Sequence, residues 1–118
     1  MESNPLFLQE TPWGKWEVLV DSDYCKVKRI IVNMNKRLSY QTHKRREETW
    51  MIVKGTATVI LNNDKKTLNP GDSIFINKNA AHRIGNFGKE DLVFIEIQRG
   101  DYFGEDDIIR IQDDFGRQ

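Results

Sequence analysis

Hydrophobic and polar residues alternate along most of the chain in short runs. The runs occupy residues 16–20, 24–33, 37–43, 49–53, 56–61, 73–77 and 92–98. Because successive side chains of a strand point to opposite faces, this alternation predicts half-buried β-strands. β-branched and aromatic residues fill the runs, and turn-forming Gly, Asn, Asp and Pro separate them. A helical turn is predicted only within residues 104–116, GEDDIIRIQDDFG.

Many short strands at this spacing predict an all-β antiparallel sandwich or barrel. The chain has 118 residues, enough for one hydrophobic core but not for two ordinary domains. We therefore predict a single domain over residues 1–118. Residues 1–11 would form an N-terminal arm, and residues 12–118 the barrel and a C-terminal extension. An exposed segment over residues 11–20 would be an unpaired sheet edge, so we expect a homodimer.

Charge and cysteine content narrow the class of protein. Lys and Arg number 18 and Asp and Glu also number 18, so no overall field attracts nucleic acid or a membrane surface. No apolar run approaches membrane-spanning length, and the N-terminus lacks the features of a secretory signal. A single cysteine, Cys25, is typical of a reducing compartment. We expect a cytoplasmic protein with neither nucleic acid nor membrane as a partner.

Both histidines of the chain lie near other residue types that bind metals. Residues two apart on a strand share a face, so Ser39, Gln41 and His43 should point together. Glu48 opens the next predicted strand, and His82 opens another. If these strands are neighbours, the two imidazoles, the carboxylate and the amide oxygen could bind one Zn, Fe, Mn, Co or Ni ion. Spacing alone favours two hydrogen-bonded or surface histidines over a metal site.

Two segments together resemble the paired motifs of the cupin superfamily. The first, QTHKRREETWMIVKG over residues 41–55, matches H-x-H-x(3,4)-E-x6-G with Gln41 in place of the first histidine. The second, GDSIFINKNAAHRIGN over residues 71–86, carries the motif histidine and asparagine at the expected spacing. The resemblance implies a single cupin domain, a jelly-roll barrel also called a double-stranded β-helix. The metal ligands it implies are Gln41, His43, Glu48 and His82.

A narrower resemblance covers nearly the whole chain. It is carried by PWGKWEVL, YCKVKRIIV, RLSYQTHKRREETWMIVKGTATV and EIQRGDYFGEDDIIRIQDDFGR, at residues 12–19, 24–32, 37–59 and 96–117. Together these stretches resemble the type II mannose-6-phosphate isomerase domain, which often forms the C-terminal part of mannose-1-phosphate guanylyltransferases. Gln41 agrees with this family. Lys44, Arg45 and Thr49 stand where the family often has histidines, but those are not motif ligands.

The resemblance implies an enzyme of GDP-mannose biosynthesis that interconverts mannose 6-phosphate and fructose 6-phosphate. One divalent ion, zinc first and Co, Mn, Ni or Fe otherwise, would stabilise the charge on the enediolate oxygens. Arg46 matches the family's arginine, and a guanidinium binds phosphate or enediolate oxygens bidentately. We therefore expect catalytic roles for Arg46 and Glu48. The expected substrate-binding residues are Lys28, Ser39 and Arg83.

Two other functions are consistent with the same residues. No Gly-rich nucleotide-binding segment precedes residue 12, so we expect a guanylyltransferase to be a separate partner. The chain could then be a non-catalytic module that binds a sugar phosphate or sugar nucleotide beside that transferase. Alternatively, it could be another metal-dependent cupin enzyme, such as an iron oxygenase. Activity of the isolated chain would argue against the first alternative, and oxygen uptake would support the second.

Overall fold

A computed structural model describes residues 5–117, whose regular secondary structure is almost entirely β-strand. The strands are β1 (Phe7–Thr11), β2 (Gly14–Asp21), β3 (Cys25–Val32), β4 (Lys36–Arg37), β5 (Tyr40–His43), β6 (Arg46–Lys54), β7 (Ala57–Leu61), β8 (Asp64–Leu68), β9 (Ser73–Ile76), β10 (His82–Asn86), β11 (Leu92–Gly100) and β12 (Ile108–Gln112). Residues 1–4 of the predicted arm and residue 118 of the predicted extension lie outside the described residues. Within residues 5–117, no helix has the length and apolar character needed to span a membrane.

The strands form two antiparallel sheets whose inner faces share one hydrophobic core. One sheet has the order β1-β2-β3-β11-β6-β9. The other has the order β12-β5-β10-β7-β8, with β4 paired to β10. Core residues from both sheets, such as Phe94 of β11 and Val59 of β7, pack into one cluster. The predicted all-β jelly-roll architecture is confirmed.

The C-terminal segment differs from its predicted conformation. Helical structure is confined to the 3-10 turn Glu105–Asp107, and the following residues form β12, which pairs with β5. β-branched isoleucines favour this extended backbone. Ile109 and Ile111 point to solvent, whereas Ile108 and Arg110 line the barrel mouth. The prediction of a helical turn therefore missed a strand that borders the site.

The sheet edge that suggested a homodimer is covered within the chain. β1 pairs with β2 from Phe7 opposite Val18 to Thr11 opposite Gly14. β2 therefore lies between β1 and β3, and the sheet ends on this side at the short β1 strand. Because this pairing satisfies the β2 backbone, it removes the reason given for the homodimer. The homodimer stays a prediction.

The turn after β6 depends on a glycine, as the sequence motif implies. Gly55 has φ of +85°, a left-handed conformation that other residues rarely adopt. A Cβ at this position would lie 2.8 Å from the backbone oxygen of Asp91. The turn lets β6 and β7 join different sheets, so the ends of both strands are held around one interior.

Inward-facing positions divide the barrel interior into an apolar half and a polar half. β3, β6, β10 and β11 each contribute to both halves: the inner residues change from polar to apolar along β3, β6 and β10, and from apolar to polar along the antiparallel β11. The apolar residues are Ile30, Val32, Ile52, Ile84, Leu92 and Phe94. The polar residues are Lys28, Arg46, Glu48, His82, Glu96 and Gln98, all buried. Buried polar groups on this scale need partners, and the candidate site lies among them.

Candidate metal centre

Three predicted ligands converge in the polar half of the barrel. His43 on β5, Glu48 on β6 and His82 on β10 each offer one ligand atom, and these atoms lie within 4.8 Å of one another. β5 and β10 are neighbours in one sheet, whereas β6 belongs to the facing sheet. The carboxylate therefore meets the imidazoles across the interior. The imidazole rings stack with centroids 4.9 Å apart.

The fourth predicted ligand lies on the same row of the sheet. Gln41 is directly opposite His82 in the β5–β10 pairing, and both are buried. Side chains opposite each other in an antiparallel pair have Cβ atoms about 4.5–5.5 Å apart. The Ser39 hydroxyl donates a hydrogen bond to Gln41 Oε1 over 3.1 Å. Ser39, predicted to bind substrate, thus contacts a predicted ligand and also lines the pocket described below.

The hydrogen bonds of His82 fit a metal ligand. Its Nδ1 lies 2.8 Å from the carbonyl oxygen of Ala80, so Nδ1 carries the proton and donates it. Nε2 then keeps its lone pair, lies 3.8 Å from Glu48 Oε1, and has no hydrogen-bond partner within residues 5–117. A histidine that binds a metal through one ring nitrogen usually donates the N–H of its other ring nitrogen to a carbonyl or carboxylate oxygen, which holds the ring in place. A cation between Nε2 and Glu48 would satisfy this buried acceptor.

Both histidines are held in the neutral form that binds metals. Burial lowers the pKa of His43 to about 3, and the nearby Arg46 and His82 add to the shift. Burial also lowers the pKa of His82. At neutral pH the imidazoles are therefore uncharged, and one ring nitrogen of each carries no proton and has a lone pair that can bind an ion.

The positively charged guanidinium of Arg46 contacts two predicted ligands, Glu48 and His43. Its Nε donates to Glu48 Oε2 over 2.8 Å, and its Nη2 lies 2.9 Å from His43 Nε2. A guanidinium is always protonated, so Nη2 donates and the proton of neutral His43 is on Nδ1. Coordination through Nδ1 would move that proton to Nε2, where it would face Arg46. A metal ion and Arg46 therefore compete for His43.

Sequence reasoning missed one buried carboxyl, Glu96. Trp50 Nε1 donates to both Glu48 Oε1 and Glu96 Oε1, each over 3.1 Å. Gln98 Nε2 donates to Glu96 Oε2 over 2.8 Å. Burial raises the pKa of Glu96, and the neighbouring Glu48 carboxylate raises it further. The signal was available, because the alternation that buries Phe94 places residue 96 on the same face.

A pocket of about 500 Å³, counting the part open to solvent, lies at the mouth of the polar half. Its lining includes Trp13, Trp16, Lys28, Ser39, Gln41, Arg46, Glu96 and Arg110. Lys28 faces inward, with Nζ 3.9 Å from the centroid of the Trp16 ring and 3.1 Å from Glu105 Oε2. Aromatic walls with a few fixed polar groups are typical of small-molecule sites.

Arg83, predicted to bind substrate, lies outside this pocket. It neighbours His82, and adjacent residues of a strand point to opposite faces. Its Nε donates to the Leu38 carbonyl over 2.9 Å, and its Nη1 and Nη2 donate to the side chain and backbone of Gln112. The contacts hold the C-terminal segment against the outer face of β10.

The two-sheet barrel and its buried His–Glu–His cluster define a cupin. A solved Klebsiella pneumoniae structure, described as an uncharacterized conserved protein with double-stranded beta-helix domain, shares the fold with a TM-score of 0.73. It is 18% identical, over 81% of this chain and 77% of that one. Residues 8–113 match the family described as Mannose-6-phosphate isomerase C-terminal. The chain belongs to this family, and the predicted resemblance is confirmed.

Curated relatives carry a different activity in their names. Mannose-1-phosphate guanylyltransferase of Sinorhizobium fredii is 44% identical over 103 residues, covering 87% of this chain and 20% of the relative. The protein of the same name from Escherichia coli K12 is 42% identical over 106 residues, covering 90% of this chain and 22% of the relative. The chain thus spans about a fifth of the length of these relatives.

The prediction that this chain is a mannose-6-phosphate isomerase is wrong. The relatives at 42–44% identity are named for guanylyl transfer and not for isomerisation. The carboxylates near the cluster are occupied by hydrogen bonds. Both oxygens of Glu48 accept them, and Glu105 Oε2, on a side chain that is 41% exposed, is held by Lys28 and Arg46.

Proposed function

We propose that the chain is a metal-dependent binding module for a mannose-type sugar phosphate or sugar nucleotide. It serves a mannose-1-phosphate guanylyltransferase and does not itself convert the sugar. The proposal rests on one juxtaposition: the His43–Glu48–His82 cluster adjoins a pocket lined by tryptophans and cations. The relatives named for guanylyl transfer to mannose 1-phosphate supply the class of ligand.

Gln41, His43, Glu48 and His82 would hold the ion. When bound, a divalent ion supplies an electropositive centre for hydroxyl or phosphate oxygens of the ligand. A set of two imidazoles, one carboxylate and one amide oxygen suits zinc, which accepts nitrogen and oxygen ligands, and also Co, Mn, Ni or Fe. The unpartnered Nε2 of His82 is the atom that supports this assignment most directly.

The walls of the pocket suit a sugar that carries negative charge. Trp13 and Trp16 contribute aromatic surface to its lining. Lys28 and Ser39 supply a charged and a neutral polar group on the inner faces of β3 and the segment before β5. This combination fixes the orientation of a ligand whose ring is partly apolar and whose phosphate is anionic.

The transferase itself is the proposed partner. The matched region forms only 20–22% of the relatives, so most of each relative lies outside it. A module that retains a sugar phosphate near a transferase raises the local concentration of its substrate or product. We propose this role whether the transferase is linked to the module or supplied as another chain.

The test is a ligand series with the purified, zinc-loaded chain. Calorimetry should give tighter binding of mannose 1-phosphate, mannose 6-phosphate or GDP-mannose than of mannose, while NMR of the mannose 6-phosphate sample shows no fructose 6-phosphate. Lys28→Met should weaken binding of the phosphorylated ligands, and Lys66→Met, an exposed lysine on β8, should not. Turnover to fructose 6-phosphate, or failure of every ligand to bind folded protein, would overturn the proposal.

A further inference from the structure

Four cationic side chains line the pocket, and three of them have acidic partners within the described residues. Lys28 is 3.1 Å from Glu105 Oε2, and Arg46 binds Glu48 and Glu105. The third, Arg117, is 2.8 Å from Asp113 Oδ2 and makes further hydrogen bonds to the same carboxylate. The charges of these three are therefore compensated inside the chain.

Arg110 is the cation without a partner. Across residues 5–117 it makes neither a hydrogen bond nor an ion pair, and its Nε is shielded from solvent with nothing to accept its proton. A guanidinium cannot lose its charge to relieve this cost. A buried donor left unsatisfied in this way destabilises the fold unless something else pairs with it.

The register of the sheet places Arg110 on the same row as the metal centre. It is opposite Gln41 in the β12–β5 pairing, and Gln41 is opposite His82 in the β5–β10 pairing. Neighbouring strands lie about 4.8 Å apart, so the backbones of Arg110 and His82 are separated by about 10 Å. That separation leaves room for a sugar ring between a group held by Arg110 and an ion held by His82.

A second unsatisfied polar atom lies in the same pocket. The hydroxyl oxygen of Thr11, at the end of β1, is buried and has no hydrogen-bond partner within the described part of the chain. A hydroxyl can donate to an anionic oxygen, and a guanidinium can donate to two oxygens at once. An oxyanion between Thr11 and Arg110 would satisfy both groups.

We propose that Arg110 binds the phosphate of the ligand, with Thr11 as an additional donor. The inference rests on the proposed sugar-phosphate function and adds the residue that selects for the phosphorylated sugar. A phosphate supplies the negative charge that can pair with the Arg110 guanidinium, and its several oxygens can accept hydrogen bonds from both side chains. Lys28, paired with Glu105, would add to the positive potential around the phosphate without being its direct partner, and Arg46, paired with Glu48 and Glu105, would stay beside the metal centre.

The test compares Arg110→Gln with Arg99→Gln, which removes the same charge from an exposed position on β11. Arg110→Gln should weaken mannose 6-phosphate binding about 10- to 100-fold, the range for a hydrogen bond to a charged group. Binding of neutral mannose should not change. Arg110→Lys should give intermediate affinity because it keeps the charge but loses the planar fork. Arg99→Gln should match the wild type throughout.

Thermal unfolding separates a binding role from a structural one. Because Arg110 has no partner, Arg110→Gln should leave the melting temperature of the ligand-free chain unchanged or raise it. A lower melting temperature accompanied by equal losses for mannose and mannose 6-phosphate would show a structural role and overturn the inference.

Inorganic phosphate, titrated into metal-free protein, separates this inference from the proposed function. If mannose 6-phosphate binds the wild type and Arg110→Gln equally well, the inference is wrong and the proposed function stands. If phosphate binds only when Arg110 is present and no sugar phosphate binds, the phosphate site stands and the proposed function is wrong. If wild-type protein binds neither probe, both are wrong.

Discussion

The two halves of the barrel interior are built on the same strands but have opposite chemistry. β3 carries Lys28 and then Ile30, and β10 carries His82 and then Ile84. All four side chains are buried to 3% exposure or less. A shift of two residues along a strand thus separates a fully apolar environment from one that holds charges. The same scaffold can keep a stable apolar core in one half and a polar site in the other.

Trp50 forms the border between the halves. Its ring packs against Phe94 on the apolar side, with centroids 5.5 Å apart. Its indole N–H donates to Glu48 and Glu96 on the polar side. Apolar burial stabilises the fold, whereas buried charges cost free energy unless they are paired. The comparison therefore predicts that stability and ligand binding respond to different substitutions.

The largest expected effect is the loss of metal binding in His82→Ala. Removing a direct ligand should weaken zinc binding by more than about 100-fold, beyond the range seen when only a supporting group is removed. The chain should still fold, because the apolar half is unchanged. Competition against a chromophoric chelator measures the affinity. Zinc binding of wild-type strength in this variant would contradict the assignment of the polar half.

The matched change two residues further along β10 should have the opposite outcome. Ile84→Ala should lower the free energy of unfolding by about 2–5 kcal/mol, through lost burial and the cavity left behind. The folded variant should still bind one zinc ion with near wild-type affinity. Chemical denaturation and the same chelator competition provide both values. A large change in zinc affinity would show that the two halves are not separable.

A smaller effect is expected from Arg46→Gln, because Arg46 competes with the ion for His43 and Glu48. Removing its charge should tighten zinc binding about fivefold or more, a coupling of ordinary size between adjacent sites. The rise in melting temperature on adding zinc should also be larger for this variant than for the wild type. Arg45→Gln, an exposed neighbour paired with Asp101, is the control and should behave as wild type. Weaker zinc binding by Arg46→Gln would sink the competition model.

The smallest effect is the pH dependence of the metal-free chain. The pKa of His43 is about 3 in the folded state, against an ordinary value of 6.5, chiefly because of burial. Below pH 6.5 the unfolded chain therefore binds more protons than the folded one, and stability falls as pH decreases. His82 acts in the same direction, since burial lowers its pKa too. Above pH 6.5 both contributions are fully present.

Denaturation between pH 6.5 and 5 measures this dependence before most carboxylates become protonated. His43 should contribute a slope that approaches about 1.4 kcal/mol per pH unit, and His82 should add a contribution of the same sign. His43→Gln should remove its share and leave that of His82. Glu96, whose pKa is raised by burial, contributes with the opposite sign, so the comparison with the variant is decisive: a profile for His43→Gln with the same slope as the wild type would mean that the His43 imidazole is not held neutral by burial.

The sequence predicted the halves unequally, and the reason is physical. Alternation predicted the strands, and the resemblance to the paired cupin motifs predicted that His43, Glu48 and His82 converge, although they lie on strands of both sheets. Neither could decide which face of β3 is interior, because Val27 and Ile31 give its outer face an apolar character as well. Whether the face of β3 that carries Lys28 is buried depends on the pairing of β3 with β11, which is set by residues far apart in the chain.

Glu96 and Arg110 were both missed at the site, but for different reasons. Glu96 could have been found by extending the Leu92–Phe94 alternation, since the strand continues without a break. Arg110 could not, because its segment resembled a helical turn and its inward direction comes from pairing with β5. Arg83 shows the converse error. It was predicted to bind substrate because it follows a motif histidine, but consecutive residues of a strand point to opposite faces, so Arg83 lies outside the pocket. Non-local register decides which charges face the ligand.

The central claim is that the polar half of the barrel is a metal-dependent site for a sugar phosphate. The most direct test is calorimetric titration of mannose 1-phosphate into the chain, first loaded with zinc, then chelated, then reloaded. We expect saturable binding at one site per chain, at least about tenfold weaker after chelation and restored by zinc. Equal affinity with and without the ion would contradict the claim, because the His43–Glu48–His82 cluster would then have no part in ligand binding.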